Sequence, residues 1–111
     1  MLLLSGCAGL GELRSEPPRR ALFSAQPYDA VAECVARRID ESGQLPPTLR
    51  IDRERGVANV YLTADTSAIY DVTLRRKDGG TQIEGRNIRT ISGGSPQLDR
   101  VWPAVEACAG N

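Results

Sequence analysis

Between residues 49 and 91, apolar and polar side chains alternate in successive short runs, and this alternation limits the fold more than any other feature of the chain. A period of two predicts strands with one buried face and one solvated face. A fourth run, from Thr81 to Ile91, changes phase near Gly85, which predicts either a bulge or a strand break at that glycine. The three regular runs are Leu49–Asp52, Ala58–Thr63 and Tyr70–Arg75.

Two amphipathic helices are predicted to flank these strands. The first begins at Pro27 and ends before Gly43. The second opens at Ser95 and Pro96, which are typical N-cap and first-turn residues. Pro103 lies inside the second helix, where it either kinks the helix on its solvent side or marks the start of its regular part. The apolar stripes are Tyr28, Val31, Ala32, Val35 and Ile39 in the first helix, and Leu98, Val101, Trp102, Val105 and Cys108 in the second.

The order of these elements predicts the fold class. Short links make consecutive strands neighbours in an antiparallel meander. Two amphipathic helices are enough to cover one face of a four-stranded sheet. We therefore expect residues 27–111 to form a single α+β domain, a two-layer sandwich with an N-terminal and a C-terminal helix on the same face.

The N-terminus carries a short motif, in which Leu4-Ser5-Gly6-Cys7 follows an apolar run. This tetrapeptide resembles the lipobox of bacterial lipoproteins, where Leu, a small residue, Gly or Ala, and Cys come in that order. The resemblance implies that residues 1–6 are the end of a signal peptide and that lipidated Cys7 becomes the mature N-terminus. No Lys or Arg precedes Cys7, so we expect the front of the signal to lie upstream of Met1.

The same resemblance implies a location and an attachment. Ala8, and not Asp, follows the lipidated cysteine, which implies sorting to the outer membrane of a Gram-negative bacterium, facing the periplasm. Residues 7–26 are rich in Gly, Pro, Ser and charge, so we predict a flexible tether whose end is pinned by Leu22 and Phe23. The tether cations either rest on anionic headgroups or are solvated; they are Arg14, Arg19 and Arg20.

The two remaining cysteines, Cys34 and Cys108, lie one on each predicted helix. If the chain is in an oxidising periplasm, we expect them to form a disulfide, and the alternative is two buried free thiols. No pair of cysteines has the C-x-x-C spacing of a thioredoxin-like motif or a zinc ribbon.

Composition argues against several functional classes. Fourteen basic and fourteen acidic residues cancel, so no overall field attracts nucleic acid. The sequence contains no histidine, which removes the most frequent general base and metal ligand of enzymes. We therefore expect no catalytic residues, no metal, no cofactor and no nucleic-acid partner.

The polar face of the predicted sheet is either a solvated surface or a recognition surface. If it binds a partner, we expect Tyr61, with Val57 and Ile69, at its centre, because aromatic and apolar residues within a polar rim are typical anchors. We predict a lipid-anchored, non-catalytic accessory or structural protein that docks on another envelope protein. The alternative is a periplasmic ligand-binding, sensor or inhibitor module.

Overall fold

The computed structural model describes residues 9–65, 67–88 and 96–110 of the chain. In this part the predicted α+β fold is confirmed. The elements, in chain order, are helix α1 (Leu10–Ser15), strand β1 (Arg20–Ser24), helix α2 (Tyr28–Glu41), strands β2 (Thr48–Asp52), β3 (Val57–Ala64), β4 (Ser67–Lys77) and β5 (Gly80–Asn87), and helix α3 (Gln97–Ala109).

The described strands form one antiparallel sheet in the order β1-β5-β4-β3-β2. The meander from β2 to β5 is the one predicted from the alternating runs. The sheet has a fifth strand, β1, which pairs with β5 and places Leu22 opposite Ile83. This strand was not predicted, because its five residues are followed and preceded by residues typical of a linker.

The predicted irregularity at Gly85 is wrong. Strand β5 runs through Gly85, which lies opposite Val72 on β4 and Arg20 on β1. Glycine is needed at this position because the Trp102 ring occupies the space above the backbone. A Cβ on Gly85 would lie 2.7 Å from that ring. The register shift occurs between β3 and β4, where Ile69 has no partner in the register.

Helices α2 and α3 cover one face of the sheet and bury their apolar stripes there. Helix α3 starts at Gln97 and runs past Pro103, whose ring is exposed, so the alternative of a helix starting at Pro103 is wrong. The predicted cap, Ser95, is outside the described residues. The Asn87 side chain of β5 accepts the Leu98 N–H at 2.8 Å and satisfies one of the free donors at the helix N-terminus.

The segment predicted as a flexible tether is, in its described part, folded onto the domain. The Arg19 N–H donates to the Gly85 carbonyl at 2.8 Å. The buried Ser24 hydroxyl donates to the Ala109 carbonyl at 2.6 Å, which links β1 to the end of α3. Helix α1 lies on the face of the sheet opposite to α2 and α3, against β4 and β5. The folded domain therefore begins before Pro27, and a tether over the whole of residues 7–26 is wrong.

Cys34 of α2 and Cys108 of α3 lie at disulfide distance, with their Cα atoms 5.8 Å apart. Both side chains lie at the edge of the buried stripe of their helix. The two helices therefore bring together the pair of cysteines that the sequence predicts. These cysteines are 74 residues apart in the chain.

Candidate functional site

The face of the sheet away from α2 and α3 carries polar side chains, and the strand register sets them in rows. Each row crosses three strands, because directly opposed residues on antiparallel strands point to the same face. Read from β2 through β3 to β4, the rows are Thr48-Tyr61-Asp71, Arg50-Asn59-Thr73 and Asp52-Val57-Arg75.

One carboxylate in this array, Asp71, is fully buried. The Thr73 hydroxyl donates to it at 2.6 Å, and the Asn59 amide donates to its two oxygens at 3.1 and 3.3 Å. The Arg14 Nε of α1 donates to it at 3.1 Å. A buried carboxylate is retained only when it is paired and hydrogen-bonded, so Asp71 and its donors form one structural unit.

Arg14 joins α1 to this unit. Its Nη2 lies 3.0 Å from Asp71 Oδ1, and its guanidinium carbon lies 5.3 Å from the centroid of the Tyr61 ring. The neighbouring Leu13 is buried, with 3% of its surface exposed. The sequence does not indicate this role of Arg14, because a helix of six residues is too short to show an apolar period.

Of the three residues predicted as a docking centre, Tyr61 and Val57 line one cleft, and Ile69 lies apart from it. Tyr61 is only 8% exposed, beneath the Arg14 guanidinium, so it supports α1 and is a poor exposed anchor. Val57 is half-buried and lines a cleft, whereas Ile69 lies at the register shift, away from that cleft. The fold therefore brings Tyr61 and Val57 to one cleft and leaves Ile69 outside it, and their role in partner binding stays a prediction.

The cleft opens between α1 and the β2–β3 hairpin and has a volume of about 770 Å³. Its floor is made by the rows of Asn59 and Val57, and Leu10 of α1 contributes to its wall. We call it the arginine cleft, because five of its lining residues are arginines: Arg14, Arg50, Arg53, Arg55 and Arg75.

The arginine cleft is a local excess of positive charge in a chain with no net charge. Its lining contains two acidic residues, Asp52 and Glu54, both exposed in or beside the β2–β3 turn. Arg55 lies 3.7 Å from Asp52, and Arg53 lies 2.7 Å from Asp29 of α2.

The two remaining arginines of the cleft are Arg50 and Arg75. Among the described residues, neither Arg50 nor Arg75 forms an ion pair or a side-chain hydrogen bond. Both side chains are exposed.

The other arginines of the N-terminal segment hold that segment in place. Arg19 and Arg20 lie 3.2 and 2.9 Å from the Asp99 carboxylate of α3, and their hydrogen bonds lower the pKa of Asp99. The Arg86 Nε of β5 donates to the Glu16 carbonyl at 2.6 Å. The predicted solvation holds in part, since the Arg19 and Arg20 side chains stay 50% and 42% exposed beside Asp99, whereas Arg14 is held against Asp71. Contact with anionic headgroups stays a prediction.

Several predicted features lie outside the described residues, including Cys7 and the rest of the lipobox. Within the described ranges, no group of three or more Cys, Asp or Glu side chains is arranged to hold a metal ion. None of the described helices is long and apolar enough to cross a membrane.

No family model matches this chain, and no curated protein or solved structure compared with it does so either. Function is therefore inferred from the residues of the chain itself.

Proposed function

We propose that this chain is a lipid-anchored, non-catalytic accessory protein of the bacterial envelope, which docks on another envelope protein through the arginine cleft. Its anchor is the lipid on Cys7, and its location is the periplasmic side of the outer membrane. The resemblance of Leu4-Ser5-Gly6-Cys7 to a lipobox supports the anchor.

The observation that carries the proposal is the closeness of the cleft to the proposed anchor. Leu10 lines the cleft, and only Ala8 and Gly9 separate it from Cys7. Because an extended chain covers at most about 3.6 Å per residue, the wall of the cleft stays within about 11 Å of a lipidated Cys7. A domain held so closely suits a fixed contact with a neighbour in or on the same membrane.

The contacts of α1 and β1 support the same conclusion. A domain on a long tether can search a volume around its anchor. Here the Arg14 contact with Asp71 holds α1 on the sheet, and the Arg19 and Arg20 contacts with Asp99 hold the start of β1 against α3. The anchor therefore sets the position of the domain, and with it the side on which the cleft opens.

The chemistry of the cleft supports binding in preference to catalysis. Its most buried neighbouring carboxylate, Asp71, already accepts hydrogen bonds from Thr73, Asn59 and Arg14. A general base needs a free position within hydrogen-bond reach of its substrate. Arginine side chains stay protonated and act as hydrogen-bond donors and charges.

A second candidate function is a periplasmic ligand-binding or sensor module, and the concave shape of the cleft favours it. Small-molecule sites are concave clefts of about 300–1,000 Å³. The two candidates differ in what occupies the cleft in the cell, a macromolecule or a soluble ligand.

Two experiments test the proposal. For the anchor, labelling with a palmitate analogue should mark the protein and fail in Cys7→Ala, while Cys108→Ala keeps the label. For docking, a photoreactive amino acid replaces Glu54 at the cleft, and in the control it replaces the exposed Glu106 of α3. We expect a crosslink of discrete mass from position 54 alone, and its absence would favour the ligand-binding candidate. Labelling of the Cys7→Ala variant would contradict the anchor.

A further inference from the structure

We infer that the occupant of the arginine cleft is an extended, acidic segment of the docked protein, whose carboxylates are bound by Arg50 and Arg75. This inference rests on the proposed docking function and adds the chemistry of the partner. It concerns two side chains that the fold leaves exposed and, among the described residues, without an ion pair.

The register of the sheet fixes the backbone positions of Arg50 and Arg75. Arg50 is opposite Asn59, and Arg75 is opposite Val57, so the two arginines lie on either side of β3 on the same face. They are two residues apart along the strands, about 7 Å, and two strand spacings apart across them, about 10 Å. Their Cα atoms are thus about 12 Å apart, a distance that two long side chains can cover from both sides.

The residues of the floor between Arg50 and Arg75 offer few groups that could bind a ligand. The Asn59 amide already donates to Asp71 and to the Thr73 hydroxyl, and Val57 is apolar. The guanidinium groups are therefore the binding groups of this part of the cleft. A guanidinium group binds a carboxylate through two parallel, charge-assisted hydrogen bonds.

An extended acidic segment fits this spacing. In a strand, every second side chain points to the same side, and such neighbours are about 7 Å apart. Two carboxylates at alternate positions can therefore meet Arg50 and Arg75 over the same floor, while the residue between them points away from the cleft. The proximity to Cys7 places this partner at the membrane that holds the proposed lipid.

A membrane surface fits the cleft less well than a narrow segment. Asp52 and Glu54 are exposed and also line the cleft, so a broad anionic surface laid over it would be repelled by their charge. The whole chain has no net charge that would attract it to such a surface from a distance.

The test uses the full chain with Cys7→Ser, which removes the proposed lipid site. The probe is a fluorescent, end-capped hexapeptide of alternating glutamate and threonine, and its control has glutamine in place of glutamate. We expect binding of the glutamate peptide that weakens with added salt, and about tenfold weaker binding when Arg50→Gln and Arg75→Gln are combined, since each removes one charge-assisted contact.

The matched control changes the same charge on the opposite side of the molecule. Arg37 and Arg38 are exposed residues of α2, so Arg37→Gln with Arg38→Gln should leave the binding unchanged. An equal loss in this pair, or no binding of the glutamate peptide, would overturn the inference. Stronger binding of vesicles of phosphatidylglycerol than of the peptide, lost in the Arg50 and Arg75 double variant, would also overturn it and assign the cleft to a membrane surface.

The photocrosslink at position 54 separates this inference from the proposed function. If the crosslink disappears when Arg50→Gln and Arg75→Gln are added, both statements stand. If it persists unchanged, docking stands and the acidic segment is wrong. If position 54 never forms a crosslink to a protein, the docking function itself fails.

Discussion

Replacement of Arg14 by glutamine should destabilise the protein although the residue belongs to a short N-terminal helix. Arg14 supplies the positive charge next to the fully buried Asp71, and its side chain is 34% exposed. In Arg14→Gln the carboxylate keeps its hydrogen bonds from Asn59 and Thr73 but loses its opposite charge. The guanidinium above the Tyr61 ring is lost as well.

The magnitude follows from how much of the pair is buried. Removal of one partner of a fully buried ion pair costs about 3–5 kcal/mol, whereas an exposed pair is worth about 0–1 kcal/mol. Arg14 is partly exposed and two neutral donors remain, so we expect a loss of about 2 kcal/mol in the free energy of unfolding. For a domain of this size that loss lowers Tm by about 8–16 °C.

The assay is chemical and thermal denaturation of Arg14→Gln beside Arg19→Gln, whose pair with Asp99 is exposed and is shared with Arg20. Arg19→Gln should cost less than about 1 kcal/mol. In the double variant with Asp71→Asn, position 71 carries no charge that the loss of Arg14 could leave unpaired, so the loss should be smaller than the sum of the two single losses. Hydrogen exchange should show faster exchange of α1 amides in Arg14→Gln. Equal stabilities of the Arg14 and Arg19 variants, or additive losses in the double variant, would refute this reasoning.

Three further predictions concern the core and its covalent link. Reduction of the link between Cys34 and Cys108 should lower the free energy of unfolding by about 4 kcal/mol, as expected for a loop of this length; equal denaturation curves with and without reductant would contradict it. Burial raises the pKa of Tyr70 to about 12, so the unfolded chain ionises first and stability should fall as pH rises from about 10 to 12. Tyr70→Phe should remove that fall, and identical pH profiles of the two proteins would show that Tyr70 is not its source. Gly85→Ala should cost about 1–3 kcal/mol by overpacking, while Gly11→Ala, in an open part of α1, should be neutral or stabilising in the same denaturation experiment.

Much of the sheet and both long helices could be predicted from residue patterns. Val60, Val72 and Leu74 are all fully buried, as the alternation around them requires. Val31 and Val35 are buried as the helical spacing predicts. These predictions succeed because burial of one face repeats with the period of the element, so that each element carries its own signal.

Residue patterns gave a wrong prediction at Gly85, where the residue is small because its neighbours are large. Gly85 interrupts the apolar alternation, and the sequence alone cannot distinguish a bulge from a filled space. The Trp102 side chain that fills this space comes from a helix far along the chain. The prediction of a flexible tether for the N-terminal segment was wrong for a related reason. The composition of this segment is that of a linker, whereas the contacts that fold it are with residues distant in the chain.

The sequence by itself determined the main strands, the amphipathic helices and the cysteines that lie on them, because these depend on local periodicity and on residue type. Only the tertiary structure decided that residues 10–24 belong to the domain. A helix of six residues and an edge strand of five have little stability alone. They form here because the sheet offers β1 an edge to pair with and offers α1 a buried carboxylate for Arg14. The arginine cleft is a consequence of that docking, since α1 forms one wall and the register of three strands forms the floor.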